Sequence, residues 1–250
     1  MIHGFRIARL ARVAVFLCCA GAVPASAAID PALASRVHRA ARTILTLPGE
    51  SPGALPRVSN PTVRALFETL GETAALSGAQ VVAQDMPLLL GLGDDLTPLL
   101  HRYLDLKTED GKVDLMDNTL AYQDELARLM SASVDLFVTD LEAGPVFLRS
   151  LPPEQVTKIR LDGLAGARRG AAEIIRGTLA TINTRGITDD NRRRLAAALS
   201  RNATVAARHL EPEALAFLQN AARQLSTGAF AANLRGDLLA FAEAPGDAAR

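Results

Sequence analysis

The chain has 250 residues and is 49% apolar, 22% charged and only 4% aromatic, with no Trp and two Cys. That balance suits a packed globular protein and excludes a disordered or collagen-like one. The formal charge is zero, but removing the three arginines of the first 27 residues leaves 24 basic residues against 27 acids. A mildly acidic chain without aromatic platforms is not a general nucleic-acid binder.

Residues 1–27 read as a secretory signal peptide. Arg6, Arg9 and Arg12 form the basic start, and Val13 to Val23 form an apolar stretch. Pro24 then precedes the small residues Ala25, Ser26 and Ala27, which places the cleavage before Ala28. The apolar stretch is far shorter than the ~20 residues of a membrane span. Both cysteines, Cys18 and Cys19, fall inside it, so the processed chain carries no thiol, disulfide or thiolate metal site. Residues 28–250 are expected to form one all-α domain.

Asp30-Pro31 gives an N-cap followed by proline at the first helical position. The spacing predicts a helix to about Leu47, with Val37, Ala41 and Ile44 inward. Residues 48–59, rich in Pro, Gly and Ser, read as a loop or linker. Asn60-Pro61 starts a second helix, with Val63, Leu66, Phe67 and Leu70 on one face. Helical turns follow over about 73–90 and 95–105, separated by a loop at Gly91 to Asp95.

The strongest periodicity runs from Asp114 to Leu141. Two neighbouring apolar rows, Met116-Leu120-Ala127-Met130-Val134 and Leu115-Tyr122-Leu126-Leu129-Leu136, predict a wide buried face. Gly144-Pro145 is expected to stop that helix. Pro152-Pro153 opens the next, to about Asn183, with Gly163, Gly166 and Gly170 as a small stripe for a close helix neighbour. Further helices start at Thr188 and at Glu211-Pro212, the latter with Leu215, Leu218, Ala222 and Leu225 inward. A short one spans Asn233 to Ala242 before a loose tail at 245–250. The expectation is an all-α bundle of about eight or nine helices without hairpins.

Two clusters could carry chemistry. Asp105, Asp110, Asp114 and Asp117 surround Gly111 in a connection whose second half resembles the calcium loop of EF-hand proteins. The resemblance implies calcium bound by carboxylates around a tight turn. The chain departs from the pattern in having Leu106 where the first ligand belongs and Asp117 instead of a closing Glu. Asp94, Asp95, His101 and Asp105 form the second cluster. Asp94, His101 and Asp105 share a helical face, a donor set for a divalent ion. His38 and His209 are the other histidines after the signal.

The sequence holds no G-x-S-x-G, no phosphate-binding glycine loop and no dinucleotide fingerprint. Residues 64–72 and 101–104 resemble, over short gapped stretches, the helical periplasmic lipase foldases. They lack the aromatic centre of that family's motif, so no residue role is carried over.

The expected function is a non-enzymatic binding or accessory role in the cell envelope, toward a partner that is another envelope protein. A calcium-binding protein using 105–117 is the first alternative. A metal-dependent enzyme around His101 is the second. Only three of the 27 basic residues are lysine, a bias typical of GC-rich bacterial coding, which makes the destination a periplasm.

Overall fold

The computed structural model describes residues 29–246 apart from 51, 52, 108–110 and 157. The expected signal peptide and its cleavage position lie outside the described residues. The described chain is helical, with ten α-helices and no strand: α1 Pro31–Thr46, α2 Pro61–Leu70, α3 Met86–Leu104, α4 Leu115–Ala121, α5 Gln123–Ser150, α6 Lys158–Asn183, α7 Asp189–Arg201, α8 Ala203–His209, α9 Pro212–Ser226 and α10 Arg235–Ala242. Among these residues no helix is long and apolar enough to cross a membrane.

The predicted caps form. The Asp30 carboxylate accepts from Ala32 N–H at 2.8 Å, and Asn60 Oδ1 accepts from Thr62 N–H at 3.0 Å. The Thr188 hydroxyl accepts from Asn191 N–H at 3.4 Å at the start of α7. Gly186, at φ +97°, makes the left-handed turn that ends the preceding segment.

Helix α5 is the axle. Its 28 residues span about 42 Å at the helical rise, and the other helices line up along it. On one side α6 runs antiparallel: Thr181 lies against Met130, and Leu164 against Gly144. On another side α7 and α8 run parallel to it. Asn191 binds Asp124, Arg201 binds Asp135 and Arg208 binds Glu142. The first third of the chain adds a second parallel pair, α1 beside α3. Asp95 meets His38 at its middle, and Arg102 donates to the Ile44, Leu45 and Leu47 carbonyls that end α1. The buried apolar side chains of these helices join into one contiguous core.

The segment 48–59 is a loop, as expected, but it is tied to the core rather than free. Tyr103 Oη donates to the Pro56 carbonyl at 2.7 Å. Leu55 N–H donates to Tyr122 Oη and Val58 N–H to the buried Glu125 carboxylate, the latter at 2.6 Å. The Arg57 guanidinium sits over the Tyr122 ring, 4.1 Å from its centroid, a cation–π contact. Gly49 permits the loop to fold back on itself, since a Cβ there would lie 2.2 Å from the Ala54 carbonyl oxygen.

Four expected boundaries are corrected. Gly91 to Asp95 is not a loop but part of α3, because Leu89, Leu92, Leu96, Leu99, Leu100 and Tyr103 are all buried along one face. Core packing there outweighs two glycines and the internal Pro98. Gly144-Pro145 does not stop α5, which continues to Ser150. A Cβ at 144 would lie 2.9 Å from the Leu164 terminal methyl, so a larger residue there would push that side chain aside. The long helix expected from Asp114 is broken at Tyr122, with φ −118° and ψ 32°. The break turns Met116 outward to 49% exposure. The helix opened by Thr188 breaks at Asn202 into α7 and α8. The glycine stripe meets no close neighbour at 163 and 166, where an added Cβ would find open space.

One carboxyl in α5 opposes the fold. Asp140 Oδ1 is buried and finds no hydrogen-bond partner among the described residues. Burial pushes its pKa up to about 6. A carboxyl whose folded-state pKa is raised destabilises the native state above that value, and the penalty fades as pH falls toward its unfolded pKa. At pH 8 the penalty is about 3 kcal/mol at most. Asp140→Asn is therefore expected to raise the melting temperature at pH 8 by roughly 5 °C. Calorimetric melts should show that advantage shrinking through pH 6 and vanishing near pH 4.

Candidate functional site

Asp105 leaves the end of α3 and pairs with His101, the imidazole Nδ1 lying 2.8 Å from the carboxylate. Asp114 caps α4, its Oδ1 accepting from the Met116 and Asp117 amides at 2.9 and 3.0 Å. Asp117 lies exposed in the first turn of that helix. Gly111 takes φ +79°, and the connection is closed by a bridge between Lys107 and Val113. Asp110 lies outside the described residues. In the second cluster, Asp95 turns away from His101 and is buried against α1, hydrogen-bonded to His38 with Arg42 3.8 Å away, while Asp94 is exposed. Among the described residues no three His, Cys, Asp or Glu side chains gather as metal ligands.

The feature that the sequence reading missed is a cleft between α5 and α7. Its volume is about 510 Å³. Helical spacing builds both walls. Arg128, Ser131, Ala132 and Asp135 recur on one face of α5, and Asp190, Arg193, Arg194, Ala197 and Arg201 recur on one face of α7. Gly71 and Ala74, in a 3₁₀ turn after α2, close the end. The floor is small and apolar, and no lysine or aromatic side chain lines it.

Buried Asp135 sets the position of the α7 wall. Its carboxylate takes Arg201 in a two-pronged pair, Nε to Oδ1 at 2.7 Å and Nη2 to Oδ2 at 2.8 Å. Asn202 donates to Oδ1 at 2.7 Å, and the Ser77 and Thr73 hydroxyls lie 3.1 and 3.3 Å from its two oxygens. Five polar contacts thus surround a side chain only 1% exposed. A buried carboxylate needs such satisfaction to offset its lost hydration. Ser131 adds a bond to the Arg194 carbonyl at 3.4 Å.

The four arginines of the lining are not equivalent. Arg201 is held by Asp135, and Arg193 pairs with Asp190 one helical turn away. Arg128 donates only to the Asp124 carbonyl of its own helix. The Arg194 guanidinium makes no hydrogen bond or ion pair among the described residues, and its ionisation is pushed below the ordinary arginine value. Partial desolvation is the largest cause, followed by the neighbouring positive charge of Arg128; attraction to Asp124 and Asp190 opposes the shift, and Arg201 adds to it. Four arginines against two aspartates leave a surplus of two positive charges in one concave place.

The chain matches no family model, no curated protein and no solved structure. The resemblance of short segments to the lipase foldases therefore gains no support from these comparisons, and the site rests on its own geometry.

Arg194 and Arg201 should respond very differently to truncation. Arg194→Ala removes an exposed charge that neighbours Arg128 and Arg201 but also Asp124 and Asp190, and should change stability by no more than about 0.5 kcal/mol. Arg201→Ala strands the buried Asp135 and should cost about 3 kcal/mol. Urea denaturation at pH 7 reads both.

Proposed function

We propose that this is an exported, non-enzymatic binding protein of the cell envelope, and that it recognises its partner through an anionic group seated in the α5–α7 cleft. The observation that carries the reading is the surplus of guanidinium charge in that cleft. Unpaired arginines held close together raise the energy of the unliganded state, and an anion between them removes the penalty. Guanidinium groups bind oxyanions in planar, two-pronged geometry. The site's volume lies in the range of small-ligand clefts, so a whole anionic group fits with part of the molecule that carries it.

Export rests on the basic start, apolar stretch and small-residue cleavage site of residues 1–27. A binding role rests on what surrounds the arginines. Among the described residues the cleft is lined by one hydroxyl, Ser131, which is engaged with a backbone carbonyl, and by no histidine. Its charged groups can hold and orient an anion, but no nucleophile–base pair stands beside them.

Thermal melts of residues 28–250 in sulfate, phosphate, acetate and citrate at one ionic strength test the reading. At least one anion should raise the melting temperature by several degrees through preferential binding to the native state. Gly71→Leu should abolish the shift. Gly71 lines the cleft, and a Cβ there would meet no atom within 4 Å, so a leucine at this position should occupy the site without a backbone clash. Equal insensitivity to all four anions would contradict the proposal.

A further inference from the structure

We infer that the ligand group of this cleft is a doubly charged tetrahedral oxyanion, a phosphate monoester or free phosphate, in preference to a carboxylate; the inference rests on the binding role proposed above. Three observations point the same way. The first is charge. The lining carries four arginines and two aspartates, and each aspartate is already engaged by an arginine of the lining, Asp135 by Arg201 and Asp190 by Arg193. Arg128 and Arg194 make no ion pair with a carboxylate among the described residues, although Asp124, outside the lining, attracts Arg194 from beyond ion-pair distance. A dianion matches the charge of both guanidiniums, whereas a carboxylate matches that of one.

The second is donor geometry. Arg128 stands on α5 and Arg194 on α7, so both helices contribute a guanidinium to the lining. A carboxylate presents its two oxygens in one plane and is satisfied by a single fork. A tetrahedral group presents oxygens in several directions and can accept from both walls at once. The third is what the walls lack. Without an aromatic side chain there is no platform on which a base could stack. Small residues, Gly71, Ala74, Ala132 and Ala197, form the rest of the surface. The body attached to the phosphate is therefore small or aliphatic, as in a sugar-free phosphate ester or a lipid headgroup.

The anions that distinguish these sources are cheap to compare. Binding of inorganic phosphate, sulfate, glycerol phosphate, acetate and succinate is measured by isothermal titration at constant ionic strength, at pH 8 and at pH 5.5. Vesicles of phosphatidylcholine with and without phosphatidic acid are measured by co-sedimentation. The expected result at pH 8 is tenfold or greater preference for phosphate and sulfate over acetate and succinate. At pH 5.5 phosphate, then singly charged, should lose affinity several-fold while sulfate, still doubly charged, should not.

Arg128→Ala and Arg194→Ala should each weaken the binding at least tenfold, with Arg194→Ala keeping wild-type stability. Tighter binding of glycerol phosphate than of free phosphate assigns an ester, and capture on phosphatidic acid vesicles assigns the membrane-held form. If carboxylates bind as well as phosphate, or if phosphate affinity is indifferent to its own protonation, the dianion inference fails while anion recognition stands. If no anion binds, both fail.

Discussion

Asp135 holds the helical array in register. A carboxylate on the central helix, almost wholly removed from water, is tolerable only if its oxygens are filled. The chain fills them from two separate places: Arg201 and Asn202 at the junction of α7 and α8, and Thr73 and Ser77 at and just after the 3₁₀ turn that follows α2. Each donor must stand within about 3 Å of one carboxyl group. That requirement fixes how far α7 slides along α5 and how the turn at Gly71–Leu76 sits against both. Apolar packing supplies the bulk of the stability, but it is not directional. A single two-pronged ion pair with its three satellites is directional, and it converts a set of packed helices into one register.

The cleft follows from that register. With Arg201 locked to Asp135, the turn before it brings Ala197 into the floor, and the turns before that bring Arg194, Arg193 and Asp190 along the wall opposite Arg128. The pairing that stabilises the interior therefore also gathers positive charge at the surface. The two effects oppose each other energetically. Arg201 repays its charge by binding Asp135, while Arg128 and Arg194 gain nothing comparable from the described protein. Such uncompensated crowding is a common mark of binding sites, where stability is given up for recognition.

How much of this was visible in the sequence depends on whether the signal is local. The caps at Asp30, Asn60 and Thr188 need only their own neighbours, and all three were readable. So was the apolar face of Leu126, Leu129, Val134 and Leu136 in α5, because periodicity reports burial directly. Gly91, Gly93 and Pro145 misled, since each is a breaker by propensity but is carried within a helix by tertiary contacts. The cleft was invisible for a related reason. Arg128 and Asp135 look like the polar edge of one helix, and Arg192 to Arg194 look like the solvated face of another. Only the parallel alignment of α5 with α7, 63 to 68 residues apart in sequence, brings them together. The acidic residues around Gly111 drew attention by spacing. Asp105 and Asp114 prove to be engaged with a histidine and with helix amides.

Native-state hydrogen exchange on Asp135→Asn, compared with the unaltered chain, tests the central claim most directly. If the carboxylate fixes the register, the amides of 71–77 and 194–206 should lose protection selectively. Those of α1 and α3, held together by His38–Asp95 and Arg102, should keep theirs. Unchanged protection at 71–77 and 194–206, or an equal loss in all helices, would show that Asp135 does not set the arrangement.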